Sequence, residues 1–347
     1  MNASSRSLVK GKIALKHGAG GRAMRELIRD VILKGAAPAT FEGLGPEAMD
    51  DGAALKVGDQ WLVITTDSYV INPPFFPGGD IGRLAVCGTV NDLAMMGATE
   101  PLALTCAIIV EEGFARADLE RVRDSIHNAC REARAAIATG DTKVMGNGEL
   151  DGIVLNTAGV AFTRRVVTDR ALRPGDRIIV TGTIGDHGLA VMAHRHELGF
   201  DAQLRSDVAP LNALVAAALD AAPDGIVAMK DPTRGGLASA LAEMAEKSGV
   251  GVVLDEAKIP VRDEVRAASE LLGIDPLHAA NEGKAVIGVR ANAVDRVLTA
   301  LRAHPLGRHA EAIGACVAER PGFVVLDTGF GRRLVTEPEG ELLPRIC

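Results

Sequence analysis

The chain has 347 residues and a formal net charge of −7; 47% of its residues are hydrophobic and only 3% are aromatic. Without a long run of Lys or Arg, this acidic balance argues against a nucleic-acid-binding protein, and no apolar stretch approaches the roughly 18 residues that span a membrane. Met1 to Lys12 is polar and basic and lacks the apolar core of a secretory signal, so we expect a cytoplasmic protein, and the length predicts two domains.

The first half of the chain alternates strand-like and helix-like segments. The apolar, β-branched segments 61–66 and 102–110 predict strands, the first of which ends at Asp67. Apolar residues at helical spacing predict a helix over 118–139, and the segment 152–162 predicts a further strand. This alternation is typical of an α/β domain.

The second half repeats the pattern after a turn signal at 172–176, Leu-Arg-Pro-Gly-Asp, which places a domain boundary near residue 166. The predicted helices run over 186–198, 208–221, 235–248 and 262–272, and the predicted strands over 177–181, 252–254, 285–289 and 323–326. The sequence therefore predicts domains at 1–165 and 166–330, followed by a mobile tail at 331–347.

Short acidic motifs recur beside glycines or at the ends of apolar segments. They are Asp50-Asp51-Gly52-Ala53, Thr66-Asp67-Ser68, Asn91-Asp92, Gly140-Asp141-Thr142-Lys143 and Lys230-Asp231-Pro232-Thr233-Arg234. Strand-end carboxylates gather at one edge of an α/β sheet, where Mg²⁺ bridging to a polyphosphate would relieve their repulsion. Lys143 could neutralise phosphate oxygens there. Aspartate beside glycine is also ordinary turn chemistry, so each motif alone leaves both interpretations open.

Glycines also mark candidate ligand contacts. Gly20 and Gly21 precede a helix-like run and would let backbone N–H groups approach a phosphate, although the segment is neither a Walker A loop nor a dinucleotide fingerprint. His187 and Glu282 each lie beside glycines and are candidate general bases, with a plain turn role as the alternative.

The chain ends in a cysteine. The cysteines are odd in number and lack a Cys-x-x-Cys spacing, which disfavours disulfides and a structural zinc site; they are Cys87, Cys106, Cys130, Cys316 and Cys347. The segment 331–347 could reach roughly 55 Å when extended, so the terminal thiolate could carry a group between active sites. We therefore expect disorder at 338–347 in at least one state. A frayed end with a chance cysteine is the alternative.

In their order along the chain, the motifs DDGA, TDS, ND, GDTKV and KDPTRGG resemble the PurM-like ATP-binding superfamily. Within it, the chain resembles most closely the HypE family of hydrogenase maturation factors, in the segments HGAGG (17–21), FFPGGDIGRLAVCGTVNDLAMMGA (75–98), ANEGK (280–284) and PRIC (344–347). This resemblance implies a two-domain PurM-like α/β (α+β) fold with an ATP-binding N-terminal domain, a C-terminal α/β domain and a flexible tail. It also implies a homodimer whose N-terminal sheets join.

The resemblance further implies an activity. Members of that family use ATP to dehydrate a carbamoyl group carried on the C-terminal cysteine, which leaves a protein thiocyanate. ATP and Mg²⁺ would be the cofactors. A HypF-type carbamoyltransferase would supply the carbamoyl group, and the HypC–HypD complex would receive the cyanide for the nickel–iron hydrogenase.

Roles for individual residues follow from the same resemblance. The implied catalytic residues are Cys347, Lys143 and Glu282, with His187 as a speculative alternative base. The implied nucleotide contacts are Asp51, Asp67, Asp92, Asp141, Lys143, Gly20 and Gly21. The implied metal ligands are Asp51, Asp67, Asp92 and Asp231.

Two alternatives stay open. One is another PurM-like ATP-dependent enzyme, such as a selenophosphate or aminoimidazole ribonucleotide synthetase. Selenophosphate synthetases use a cysteine or selenocysteine near the N-terminus, whereas the first cysteine here, Cys87, lies inside an apolar segment. The other alternative is a non-catalytic maturation protein that docks through its tail, which would bind a partner but turn over no ATP.

Overall fold

A computed structural model describes residues 12–37, 40–200, 203–338 and 343–347. Two predictions concern residues outside these ranges. One is the prediction for the N-terminal segment, of which Met1 to Gly11 is not described. The other is the predicted tail, of which 339–342 is not described. The helices are α1 Gly21–Leu27, α2 Ile81–Met95, α3 Arg116–Ala133, α4 Asp186–Arg195, α5 Asn212–Ala221, α6 Gly236–Ser248, α7 Asp263–Leu272 and α8 Val294–Ala303. Among the described residues, we find no helix with the length and apolar character needed to cross a membrane.

The strands form two larger sheets and one short hairpin. They are β1 Gly43–Leu44, β2 Ala53–Val57, β3 Gln60–Tyr69, β4 Phe75–Phe76, β5 Gly79–Asp80, β6 Pro101–Glu111, β7 Ile137–Met145, β8 Ile153–Thr163, β9 Arg177–Val180, β10 Ile226–Lys230, β11 Gly251–Asp255, β12 Val286–Val289, β13 Glu311–Val317, β14 Val324–Asp327 and β15 Arg332–Val335.

The N-terminal sheet has the order β1-β2-β3-β8-β6-β7. Its strands pair antiparallel except for β6 and β7, which are parallel. On β8, buried residues such as Leu155 and Thr157 alternate with partly exposed ones, so this strand has one covered face and one open face. Helices α2 and α3 cover the buried face, and they share one hydrophobic core with α4 and the chain end at Ile346 and Cys347.

The C-terminal sheet has the order β10-β12-β9-β13-β11-β14-β15, with β11 and β14 as its parallel pair. Apolar residues alternate between its two faces, as on β9, where Ile178 packs in the core beside α6 and Ile179 in the core beside α5 and α8. Because both domains contain helices and mixed sheets, the predicted α/β (α+β) class is confirmed.

Several predicted boundaries differ from the structure. The helix predicted over 118–139 ends at Ala133, where Arg134 adopts a left-handed conformation with φ of 54°. Ile137 then starts β7, because pairing with β6 satisfies the backbone of this segment better than a longer helix could. The strand predicted to end at Asp67 continues to Tyr69, which still pairs with Leu155 of β8.

Helix α2 lacked a clear sequence signal. Nearly all of its residues are buried, so it has no polar face and no amphipathic periodicity to detect. The helix forms because Asp80 caps it, with Asp80 Oδ1 accepting from the backbone N–H groups of Gly82 at 2.8 Å and Arg83 at 3.1 Å.

The C-terminal segment differs from a free arm along part of its length. Arg332–Val335 forms β15 at the edge of the C-terminal sheet, paired with β14, and Val335 is buried. Leu343, Ile346 and Cys347 are buried as well. This conformation is docked, so the expectation of disorder in another state stays a prediction.

Candidate active site

A cavity of about 720 Å³ lies where the two domains meet, and it collects most of the predicted acidic residues. Asp51 lies just before β2, Asp67 lies within β3, Asp92 lies on α2 and Asp231 follows β10; all of them line this cavity. Gly20 and Gly21 line it from the start of α1. The acidic motifs predicted a site at one edge of an α/β sheet. The sheets are mostly antiparallel, and these residues instead meet where the two domains face each other.

Asp51 forms an ion pair across the domain interface. Lys230 Nζ lies 2.5 Å from Asp51 Oδ1 and 3.5 Å from Glu243 Oε2. Burial raises the pKa of Asp51 despite the lysine, which opposes the shift. Asp51 Oδ2 is buried and, within the described residues, has no hydrogen-bond partner. One oxygen of this carboxylate is therefore neutralised while the other is left available to a cation.

Asp92 lies close to other carboxylates in the same cavity. The Thr65 hydroxyl donates to Asp92 Oδ2 at 2.7 Å and also lies 3.0 Å from the Asp51 carbonyl oxygen. Burial and repulsion from Asp231, Asp67 and Asp51 raise the pKa of Asp92 well above its ordinary value. The cavity thus contains more carboxyl groups than its lysine and arginines can pair, and their repulsion favours the neutral form of Asp92.

Asp231 and Glu282 are buried carboxyl groups of the C-terminal domain. Burial, followed by the nearby Asp51, raises the pKa of Asp231 to about 8. Burial and repulsion from Asp231, Asp207 and Asp67 raise the pKa of Glu282 well above its usual range. In the described part of the chain, Glu282 Oε1 has no hydrogen-bond partner. Such a carboxyl group can exchange a proton with a bound substrate.

The cavity suits a divalent cation that arrives with a polyphosphate. Within the described ranges, no group of three or more His, Cys, Asp or Glu side chains forms a ready-made metal site. Mg²⁺ needs only one or two carboxylates when phosphate oxygens and water fill its other positions. The unpartnered Asp51 Oδ2 and the mutual repulsion of Asp92 and Asp231 fit that arrangement.

The terminal cysteine lies beside this cavity. Cys347 is buried, and its Sγ lies 3.6 Å from Nη1 of Arg234, a residue that also lines the 720 Å³ cavity. Burial raises the pKa of the thiol to about 12, although Arg234 opposes the shift; Glu282 and Asp67 raise it further. The sulfur is therefore held as a neutral thiol at the border between the chain end and the acidic cavity.

Asp141 and Lys143 lie elsewhere. They pair with each other at 2.9 Å on the edge strand β7, where both side chains are more than 60% exposed. Neither lines the cavity of its own chain. Within a single chain this motif therefore lies apart from the other acidic motifs, because it falls in the middle of an edge strand, and its role at the nucleotide stays a prediction.

Two cations of this site were not predicted from the sequence. Arg234 contacts the sulfur and Lys230 neutralises Asp51, and both belong to the motif 230–234, in which only Asp231 was given a role. His187, a candidate base, instead contacts the chain end: its Nε2 lies 2.5 Å from the Ile346 carbonyl oxygen. The sequence signal for Lys230 and Arg234 is that both are charged residues within three positions of Asp231, a candidate ligand.

Comparisons with known proteins agree with the fold. The N-terminal domain of AIR synthase related proteins matches residues 49–163, and the C-terminal domain of the same proteins matches residues 173–327. The carbamoyl dehydratase HypE of Rhizobium leguminosarum bv. viciae is 49% identical over 343 residues, which covers 98% of this chain and 96% of the relative.

Solved structures give the same result. The HypE chain of a HypE–HypF complex superimposes with a TM-score of 0.82 at 42% identity, covering 90% of this chain and 99% of that one. HypE in complex with ATP superimposes with a TM-score of 0.80 at 41% identity, covering 97% of this chain and 100% of that one.

Proposed function

Since this chain belongs to the carbamoyl dehydratase HypE family, within the AIR synthase related proteins, we propose that it uses ATP to dehydrate a carbamoyl group carried on Cys347. The product is a protein thiocyanate, which supplies cyanide for hydrogenase maturation. The observation that carries the proposal is the position of Cys347 Sγ, 3.6 Å from an arginine that also lines the acidic interdomain cavity.

The chemistry explains why ATP is needed. The oxygen of an S-carbamoyl group is a poor leaving group. When this oxygen attacks the γ-phosphorus of ATP, ADP leaves, the nitrogen loses the first of its two protons, and the oxygen becomes part of a phosphate ester next to a C=N–H group. Loss of the remaining N–H proton and cleavage of the C–O bond then release inorganic phosphate and leave S–C≡N. The oxygen of the water removed therefore ends in the phosphate.

The residues around the sulfur suit these steps. We assign Arg234 to orient the carbamoyl oxygen, because its Nη1 lies 3.6 Å from the sulfur. We assign Glu282 to accept the nitrogen proton, because it is a buried carboxyl group whose Oε1 has no hydrogen-bond partner among the described residues and whose charge raises the pKa of the Cys347 thiol. The raised pKa of Glu282 makes it a stronger base once it is ionised. Gly20 and Gly21 would approach the phosphates, and Gly20 is required because a Cβ there would lie 2.9 Å from the Arg234 carbonyl oxygen.

Asp51, Asp67, Asp92 and Asp231 would hold Mg²⁺ together with the phosphates, in the cavity that they line. When bound, Mg²⁺ supplies positive charge that stabilises the transferring phosphoryl group. The residues present contribute carboxylate oxygens to it, and Lys230 keeps Asp51 in place.

We propose a cytoplasmic protein with two partners. A solved complex of HypE with HypF supports a HypF-type carbamoyltransferase as the donor. The HypC–HypD complex is the proposed acceptor of the cyanide. A transferable group on the last residue of the chain can reach both partners without a diffusible intermediate.

We also propose a homodimer formed through the open face of the N-terminal sheet. That face carries partly exposed apolar residues on neighbouring strands, including Ile64 and Val160, which pair in register between β3 and β8. Burying them against a second copy would remove this apolar surface from water. Asp141 and Lys143, exposed on the edge of the same sheet, would then serve the cavity of the partner chain.

The test is the intact mass of the protein after incubation with a HypF-type carbamoyltransferase, carbamoyl phosphate and Mg-ATP. We expect a carbamoyl adduct that loses one water only when ATP is present, and no adduct on Cys347→Ala. An active carbamoyltransferase that leaves no adduct on Cys347 would overturn the proposal.

The same experiment separates the alternatives. A docking protein would turn over no ATP under any condition. A PurM-like enzyme that uses an internal thiol, as selenophosphate synthetases do, would require Cys87, but this residue is fully buried and its pKa is raised, first of all by burial. ATP turnover that survives in Cys347→Ala would therefore point to an enzyme with a free small-molecule substrate.

A further inference from the structure

The last four residues are held through their backbone. The carbonyl oxygen of Pro344 accepts from Arg195 Nη1 at 2.7 Å, and that of Arg345 accepts from Arg195 Nη2 at 2.8 Å and from the backbone N–H of Asn72 at 3.1 Å. The carbonyl of Ile346 lies 2.5 Å from His187 Nε2, and that of Cys347 accepts from the Val70 N–H at 3.2 Å. Every carbonyl of the terminal tetrapeptide thus has a donor.

Two of these donors are side chains of α4 that are themselves held in position. His187 is fully buried, its Nδ1 lies 2.8 Å from Ser206 Oγ, and Phe76 packs edge-on against its ring at 5.3 Å between centroids. The Arg195 guanidinium also donates to the Asn72 carbonyl oxygen, so it bridges the chain end and the segment after β3. Each donor thus has contacts with the body of the protein besides those with the tail.

None of these contacts involves the sulfur. Cys347 Sγ contacts Arg234 instead, and Cys347 also lines a second cavity of about 540 Å³ with Val70, Gly235 and His278. A carbamoyl or cyano group adds only a few atoms, for which this cavity leaves room. The backbone contacts therefore do not depend on what the sulfur carries.

We propose that Arg195 and His187 are positioning residues that recognise the main-chain carbonyls of residues 344–346, and that they dock the tail equally in its thiol, carbamoyl and thiocyanate forms. Only the groups around the sulfur, of which Arg234 is the nearest, would make different contacts in the three forms. This role deepens the proposed function, but it rests on contacts that exist without ATP, so it can be tested separately.

The test is the rate at which iodoacetamide alkylates Cys347 in the full-length chain without nucleotide, followed by peptide mass mapping. Docking buries the sulfur, so the rate reports the undocked fraction. Arg195→Ala removes two charge-assisted donors to the tail, and we expect alkylation at least about tenfold faster. His187→Leu should act in the same direction, whereas His187→Gln, which keeps a donor near the position of Nε2, should restore slow alkylation.

Amide hydrogen exchange tests the independence from cargo. The Val70 and Asn72 N–H groups donate to the tail, so their exchange should be equally slow in the thiol form and after Cys347 has been alkylated to its carbamidomethyl form. In Arg195→Ala, both amides should exchange faster in both forms. Arg296→Ala, an exposed arginine on α8, is the matched control and should change neither measurement.

The proposal is overturned if Cys347 of Arg195→Ala reacts no faster than in the parent chain, or no faster than in Arg296→Ala. Loss of Val70 and Asn72 protection on alkylation of the parent chain would also overturn it, because docking would then depend on the cargo. A dehydratase assay that fails while these results hold would refute the proposed function and leave the docking role intact.

Discussion

At the scale of single residues, the Cys347 thiol has a low reactivity in its docked position. Burial in the docked state raises the pKa of Cys347 to about 12, so the sulfur is a poor nucleophile beside the interdomain cavity. Arg234 lies against the same sulfur and partly opposes this effect. Nucleophilic attack on a carbamoyl donor is therefore favoured only after the tail leaves its site.

The pH dependence of alkylation tests this coupling. The docked pKa lies above the ordinary value, so docking of the thiol form is strongest below about pH 9 and weakens as the pH rises from there toward about 12. The alkylation rate of a free peptide of residues 342–347 should level off near the ordinary thiol pKa. Above that pH, we expect the alkylation rate of Cys347 in the protein to keep rising about tenfold per pH unit. A plateau at the same pH in protein and peptide would contradict the prediction.

Glu282→Gln tests the proposed base. Glutamine keeps the shape of the side chain but cannot accept the nitrogen proton, so dehydration of the carbamoyl adduct should slow by about 10²–10⁴-fold while the adduct accumulates on Cys347. The melting temperature should stay unchanged or rise, because no charge is buried. Intact mass against time measures both species, and the exposed Glu319→Gln is the control. Unchanged dehydration would remove Glu282 from the chemistry.

At the scale of elements, the ends of β10 and of the loop before β2 are joined by one buried ion pair. Lys230 Nζ and Asp51 Oδ1 are 2.5 Å apart, and their side chains are 13% and 7% exposed. The pair links the two domains, because Lys230 ends β10 of the C-terminal sheet and Asp51 lies in the loop that leads into β2 of the N-terminal sheet. Removing Lys230 leaves the buried Asp51 without its cation, whereas removing Asp51 leaves Lys230 with Glu243 at 3.5 Å.

A double-mutant cycle tests this link. Lys230→Met should lower the free energy of unfolding by about 3–5 kcal/mol, and the double variant with Asp51→Asn should lose less than the sum of the single changes. Urea unfolding measures each value. The exposed pair of Arg116 and Glu120 on α3 is the control, where coupling should be near zero. Additive losses for Lys230 and Asp51 would contradict an interdomain role.

At the scale of the whole molecule, the exposed pair of Asp141 and Lys143 would have its proposed role only beside a second copy. The proposed dimer places Lys143 of one chain at the cavity of its partner, while Cys347 and Glu282 belong to the same chain. Activity of mixed dimers can separate these two arrangements.

We expect Lys143→Ala and Cys347→Ala to be inactive alone and to recover dehydration when they are mixed and allowed to exchange subunits. One site of the mixed dimer then combines an intact Cys347 with an intact Lys143 from its neighbour. A mixture of Glu282→Gln with Cys347→Ala should remain inactive, because these residues serve one cavity of one chain. Recovery in both mixtures, or in neither, would refute action of Lys143 across the dimer.

The sequence alone predicted the fold class, most of the helices, about half of the strands and the acidic motifs, because these depend on local apolar periodicity and on short segments of the chain. Helix α2 was not predicted, because a helix buried on all sides has no amphipathic pattern. The helix predicted beyond Ala133 was wrong because long-range pairing with β6 outweighed local periodicity.

The residue types available for chemistry, including the terminal cysteine, are thus determined by the sequence itself. The tertiary structure alone decides which of them meet: it joins Asp51 to Lys230, Cys347 to Arg234 and the chain end to Arg195, and it leaves Asp141 and Lys143 on an open edge. These partners lie more than a hundred residues apart, so only the pairing of strands and the packing of the two domains bring their charges within contact distance.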